Sequence, residues 1–356
     1  MNQDYLFNSY KQQDFVEDLV EMVENLARII ASMEKERREA GERIREKEGL
    51  ILKAEQESLD GCVVGIDGGM VKKSFHGVDL LLLRSVAVVF YYKDNKLSHV
   101  AYYPDSLPKA ELKVVVDPFS DLEFEVNSNI ERQIKEVENA REALEKFEPD
   151  ILFLHGSIIP HYTFVPDKST LLYISYKRMI EAYQKLFDSV KKAKTVLAGV
   201  IEDSRGARFC ELVSQILPEY KLILSRSKDS NILSYSLKVG ERTVSFPYSS
   251  DVKTHPILKE FKDAEKVQTF YIRLGEFDQP VRIDFLADKE DADKKISSVL
   301  LACAGNASYS IPPVLVEADQ RARLSENDLE AFYYDILTKT GSLPSMLELR
   351  RERRPF

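Results

Sequence analysis

The 356-residue chain has no tryptophan, only three cysteines, and no apolar stretch near the roughly 20 residues that span a bilayer. Cys62, Cys210 and Cys303 are scattered, odd in number and without CxxC spacing. That pattern argues against a disulfide framework or a zinc site and fits a reducing cytoplasm. The opening Met1-Asn2-Gln3-Asp4-Tyr5 has neither the basic start nor the apolar core of a signal peptide, so a cytoplasmic location without a membrane is expected. Basic residues do not predominate: 50 Lys and Arg against 59 Asp and Glu leave a net charge of −9. Any nucleic-acid contact must therefore come from local patches. Glycine is scarce too. Gly68-Gly69 is the one Gly-Gly pair, and no Gly-x-x-x-x-Gly-Lys-Ser/Thr occurs, which excludes a P-loop.

What remains is an ordinary globular composition, 44 % hydrophobic and 31 % charged, with apolar periodicities of both kinds. Residues 13 to about 58 read as one long helix or a broken pair. Val16, Leu19, Val20, Val23, Leu26, Ala27, Ile30 and Met33 form its stripe, and Gly41 is its expected weak point. Beyond Met33 the helix becomes almost wholly charged. The apolar half is expected to pack on the body or on a second copy, and the charged half to project into solvent.

Strands are predicted at about 62–67, 79–92, 96–104, 112–116, 151–155 and 195–200, with a β-rich stretch at 221–286. Helices are predicted at 129–147, 168–193, 207–217, 290–303 and 314–324. Interleaved strands and helices imply a mixed α/β sheet with covering helices. No repeat or low-complexity linker divides the chain. The expected organisation is an N-terminal helical extension (1–59), one elaborated domain (60–335) and a basic C-terminal tail (336–356).

The run Val63-Val64-Gly65-Ile66-Asp67-Gly68-Gly69 reads as a buried strand that ends at Asp67, with the glycine pair turning the chain beyond it. An aspartate so placed can meet a cation, or it can merely cap a turn. Glu136 lies near the apolar stripe of the 129–147 helix. His155 ends a second apolar strand and enters Gly156-Ser157. Asp319 follows the apolar run Val314-Leu315-Val316 on the last predicted helix. Oxygen ligands gathered at one sheet edge suit Mg²⁺ or Mn²⁺, and a histidine among them favours Mn²⁺. Singly, each has a plainer reading: Glu136 as a surface acid, His155 as a satisfied core histidine.

Taken in order, these segments resemble the NurA nuclease domain. The resemblance rests on Gly65-Ile66-Asp67-Gly68-Gly69, Arg132-x-x-x-Glu136, and the strand into His155-Gly156-Ser157. It continues through Asp229-Ser230-Asn231-Ile232-Leu233, Val281-Arg282-Ile283-Asp284 and Pro312-Pro313-Val314-Leu315-Val316-Glu317-Ala318-Asp319. It covers about residues 60 to 335. The resemblance implies an RNase H-like (PIWI-like) fold, a homodimer, and a Mn²⁺-dependent nuclease, with Mg²⁺ as the alternative ion. Such an enzyme would resect DNA ends as an exonuclease (5′ to 3′) or endonuclease, with the hexameric HerA translocase. Carried over, Asp67, Glu136 and Asp319 are catalytic and metal-binding candidates, and His155 joins them from its own place at a strand end. Lys72, Lys73, Arg282, Arg321 and Arg323 are the DNA-contact candidates.

Two positions depart from the family pattern. His155 stands where members usually carry aspartate, and Ile311 stands near the Pro pair where an aromatic is common. Imidazole in place of a carboxylate removes one negative charge and should weaken Mg²⁺ more than Mn²⁺. A NurA-like adaptor that has lost catalysis is thus one alternative. A kinase or ATPase of the actin and sugar-kinase type is another, since Gly65-Ile66-Asp67-Gly68-Gly69 also resembles a phosphate loop.

Overall fold

A computed structural model describes residues 3–116, 119–161, 165–305, 307–341 and 343–350, with side chains in the first helix described from residue 19 onward. The end of the expected basic tail, from Arg351 on, lies outside the described residues, as does the side chain of Val16. In chain order come α1 (Gln3–Glu46), β1 (Ile51–Lys53), β2 (Gly61–Ser74), β3 (Val78–Lys93), β4 (Lys96–Tyr103) and β5 (Glu111–Val116). Next are α2 (Asp121–Phe147), β6 (Ile151–His155), α3 (Leu171–Lys192), β7 (Val196–Ile201), α4 (Arg208–Ile216), α5 (Lys221–Ser225) and α6 (Asp229–Ser236). The remainder is β8 (Glu241–Thr243), β9 (Phe246–Pro247), β10 (Val267–Ile272), β11 (Val281–Leu286), α7 (Ala292–Cys303), α8 (Pro313–Ala322) and α9 (Glu326–Thr340). Among the described residues no helix is long and apolar enough to cross a membrane.

The chain divides into two compact units. The larger, 52–203 with 238–356, is the mixed α/β sheet with covering helices that the interleaved pattern predicts. Strand order is β1-β8-β10-β11-β7-β6-β2-β3-β4, with β5 also on β3 and β9 on β10. β2, β6 and β7 run parallel, and the other pairings among β2–β11 are antiparallel. Because side chains alternate along a strand, β2 feeds two cores. Val64 and Ile66 join Leu152, Leu154 and Leu197 beneath α2 and α3. Val63 joins Phe153, Ala198 and Val200 beneath α7 and α8. Each such fully buried aliphatic or aromatic side chain stabilises the fold by about 1.5–3 kcal/mol.

The smaller unit, 1–51 with 204–237, contains α1, α4, α5 and α6. Here the charged half of α1 does not project into solvent as expected, and the apolar half does not pack on the body. Its charged half packs: Ala40 and Ile44 are buried, Glu34 accepts from Tyr235 Oη, and Arg37 Nε donates to Ser227 Oγ. Its apolar half is open: Leu19, Val20, Val23, Leu26, Ile29 and Ile30 are all exposed. Gly41 does not break the helix. A Cβ there would come within 2.7 Å of Tyr235 Cβ, so the glycine lets α6 approach closely.

Two further expectations change. The stretch 221–236 is helical, not β-rich. α2 starts at Asp121, not near Asn129, because Ser120 and Glu123 form a capping box.

Candidate metal centre

Asp67 lies within β2, not at its end. The strand continues through Gly68-Gly69 to Ser74, paired with β3 throughout. The glycines make room, not a turn. A Cβ on Gly68 would meet Glu136 Cγ at 2.5 Å, and one on Gly69 would meet the Ala322 carbonyl oxygen at 2.1 Å. No loop follows Asp67 that could cradle a nucleotide phosphate, which removes the support for the kinase alternative. What does end at Asp67 is the parallel pairing. β2 meets β6 from Val63–Ile151 to Ile66–Leu154, so Asp67 and His155 stand side by side just beyond the last pair. By alternation both point to the face that α8 covers, where α8 carries Asp319.

Asp67, His155 and Asp319 come together as a group whose ligand atoms all lie within 4.8 Å of one another. Asp67 is buried, His155 intermediate and Asp319 exposed, so the group opens to solvent on one side. Asp67 Oδ1 accepts the Gly68 N–H at 2.7 Å, while Oδ2 faces His155 Nδ1 at 3.0 Å. His155 Nε2 faces Glu202 Oε1 at 2.8 Å, and Tyr309 Oη donates to the same oxygen at 3.0 Å. The hydrogen bond with Asp67, helped by Glu202 and opposed by burial, pushes the imidazole up to about 9.

Glu136 stands apart from the trio. It lies over Gly68, ion-paired with Arg132. Burial pushes its carboxyl up to about 7; Arg132 opposes the shift and the nearby charge of Asp67 adds to it.

The turn after His155 is fixed by a buried acid. Gly156 takes the left-handed region (φ 105°) and packs its carbonyl against Gly199. Ser157 Oγ then donates to Asp284 Oδ2 at 2.7 Å. Asp284 is wholly buried and also accepts from Thr269 Oγ1 at 2.7 Å and Arg282 Nε at 2.8 Å.

Of the DNA-contact candidates, Arg282 is held inside by Asp284 and lies over the Tyr248 ring. Lys72 pairs with Glu125, and Lys73 with Glu348 at 2.6 Å. Arg321 pairs with Glu317 at 2.8 Å and lies over the Tyr102 ring. Arg323 is exposed at the end of α8.

Sequence reading missed Glu202 and Tyr309. Glu202 follows the apolar run of β7 as His155 ends that of β6, so a carboxylate beyond a third parallel strand was a visible signal. Tyr309 lies three residues before Pro312 and supplies an aromatic near the Pro pair.

The donor set fits a divalent cation. Two carboxylates and one imidazole within reach of a common point, open on one side, suit Mn²⁺ better than Mg²⁺ because of the nitrogen.

The family model for the NurA domain matches residues 62–324. The crystal structure of the NurA nuclease from Sulfolobus solfataricus is similar at a TM-score of 0.61 and 16% identity, covering 92% of this chain and 96% of that one. A crystal structure of NurA with manganese gives 0.53 at 9% identity, covering 92% and 100%. One of NurA bound to dAMP and manganese gives 0.50 at 10% identity, covering 97% and 99%. At these identities the likeness shows the fold. No curated protein matches the chain in sequence.

Proposed function

The chain belongs to the NurA family, and from that premise we propose that it is a Mn²⁺-dependent nuclease hydrolysing DNA phosphodiesters. The observation that carries the proposal is the meeting of Asp67, His155 and Asp319 at the edge of the parallel pairing. Two similar NurA structures are with manganese, one of them also bound to dAMP, in line with that donor set. When bound, the ion would act as a Lewis acid, polarising the attacking water and the scissile phosphate.

The chain's own residues prepare that site. Asp67 and Asp319 would supply oxygen ligands, and the backbone N–H of Gly68 fixes one Asp67 oxygen in place. His155 would ligate through Nδ1, the nitrogen that faces Asp67. Glu202 would then accept the Nε2 proton, setting the tautomer and ring plane, while the Tyr309 hydroxyl orients Glu202. Glu202 also returns a negative charge beside the position where the family usually has aspartate. Glu136, with its raised pKa, can hold or release a proton near neutral pH beside Asp67. No protein nucleophile is needed.

The family resemblance further supports action on DNA ends together with a HerA-type hexameric translocase, and assembly as a homodimer. The test is cleavage of end-labelled single- and double-stranded DNA with Mn²⁺, Mg²⁺ or EDTA, wild type beside Asp67→Ala. Cleavage is expected with Mn²⁺, weaker with Mg²⁺, and lost in EDTA and in the variant. Full activity in Asp67→Ala would overturn the assignment. No cleavage with any metal, alone or with the motor, would favour the adaptor reading.

A further inference from the structure

Phe277 is 75% exposed, the most exposed large apolar side chain among the described residues. It sits in the turn between β10 and β11, and that turn is firmly held. The Phe277 N–H donates to the Ala307 carbonyl at 2.9 Å. Asp278 accepts the Ser310 N–H at 2.7 Å and the Gln279 N–H at 2.8 Å. Arg273 donates to the carbonyls of Gly275 and Glu276. Gly275 leaves no room for a Cβ, which would meet Ser310 Oγ at 2.3 Å and the Ala307 oxygen at 2.6 Å.

The segment that anchors this turn, 307–310, also carries Tyr309, whose hydroxyl reaches Glu202 behind His155. Tyr309 is itself 47% exposed. A braced turn therefore holds one bare aromatic ring outward, and the segment that braces it carries Tyr309, bonded to Glu202 beside His155.

From this arrangement we infer that Phe277 is a stacking platform for an unpaired nucleobase of the strand that enters the metal centre. The chemistry of the turn selects the base over the phosphate. Arg273 is the one basic residue of 273–280 and bonds the turn's own Gly275 and Glu276 carbonyls, while the Glu276 and Asp278 carboxylates repel a phosphodiester. An apolar ring face suits any of the four bases without reading their edges. The ligand class is therefore single-stranded or frayed DNA without sequence preference. The inference rests on the nuclease reading only for its location, because stacking needs no metal.

The absence of tryptophan makes the test direct. In Phe277→Trp the one indole reports on this turn alone. Titration with a (dT)12 single strand in EDTA should quench its emission saturably, and a blunt duplex should quench it less. Phe277→Ala should bind (dT)12 about 5- to 150-fold more weakly by fluorescence anisotropy, with Phe277→Trp restoring affinity. Binding without quenching, equal affinity in Phe277→Ala, or no binding of (dT)12 by the wild type would each overturn the inference. Quenching in a protein that cleaves nothing with Mn²⁺ would support stacking and sink the nuclease reading instead. Cleavage without quenching would do the reverse.

Discussion

His155 lies between two acids, with Asp67 at one ring nitrogen and Glu202 at the other. Without metal, the protonated ring is itself the cation of the site. Its pKa, about 9 against an ordinary 6.5, is raised on folding. The fold thus favours the protonated form. That contribution to stability is fully present below pH 6.5 and is lost as pH rises through 9. The thermal midpoint of metal-free wild type should exceed that of His155→Gln by a constant margin up to pH 6.5. The margin should then shrink toward pH 9, as followed by circular dichroism in EDTA. A margin that grows over this interval would contradict the proton assignment. Asp67 and His155 were legible from sequence because each closes an apolar run. Tyr309 was not, since its run has no periodicity and its partner Glu202 lies 107 residues away.

The elements show where local reading succeeds and where it stops. Apolar runs located β3, β6 and β7 because a buried strand is mostly apolar whatever lies beside it. Gly68-Gly69 read as a turn because turn propensity is local, whereas β2 continues because β3 pairs with it and Glu136 and α8 press against it. The same contact yields a prediction. Gly69→Ala drives a methyl into the Ala322 carbonyl of α8, where backbone must shift. The variant should lose about 1–3 kcal/mol of stability by denaturant unfolding. Unchanged stability would show that α8 yields freely. The charged half of α1 read as a solvated arm because its buried residues, Ala40 and Ile44, are few among many charges. The Ser120–Glu123 capping box was in the sequence and simply extends α2 by its first turns.

At the scale of the molecule, the apolar half of α1 is the surface left over. Leu19, Val20, Val23, Leu26, Ile29 and Ile30 recur along the helix, all exposed. A second copy of the same helix would cover them, in keeping with the homodimer implied by the family resemblance. Sedimentation equilibrium at micromolar concentration should give a dimer for the wild type and a monomer for Val23→Glu with Ile30→Glu. A monomeric wild type would remove this role from α1.

The proposed nuclease depends on an ion that Asp67, His155 and Asp319 would hold. Direct titration of Mn²⁺, with the free ion read by electron paramagnetic resonance, tests it without requiring any activity. The wild type should bind Mn²⁺ saturably. Asp319→Asn should lose most of that affinity, and Glu202→Gln should lose about 10- to 100-fold through the misdirected histidine. A wild type that binds no Mn²⁺, or an Asp319→Asn variant that binds it as tightly, would contradict the metal centre described here.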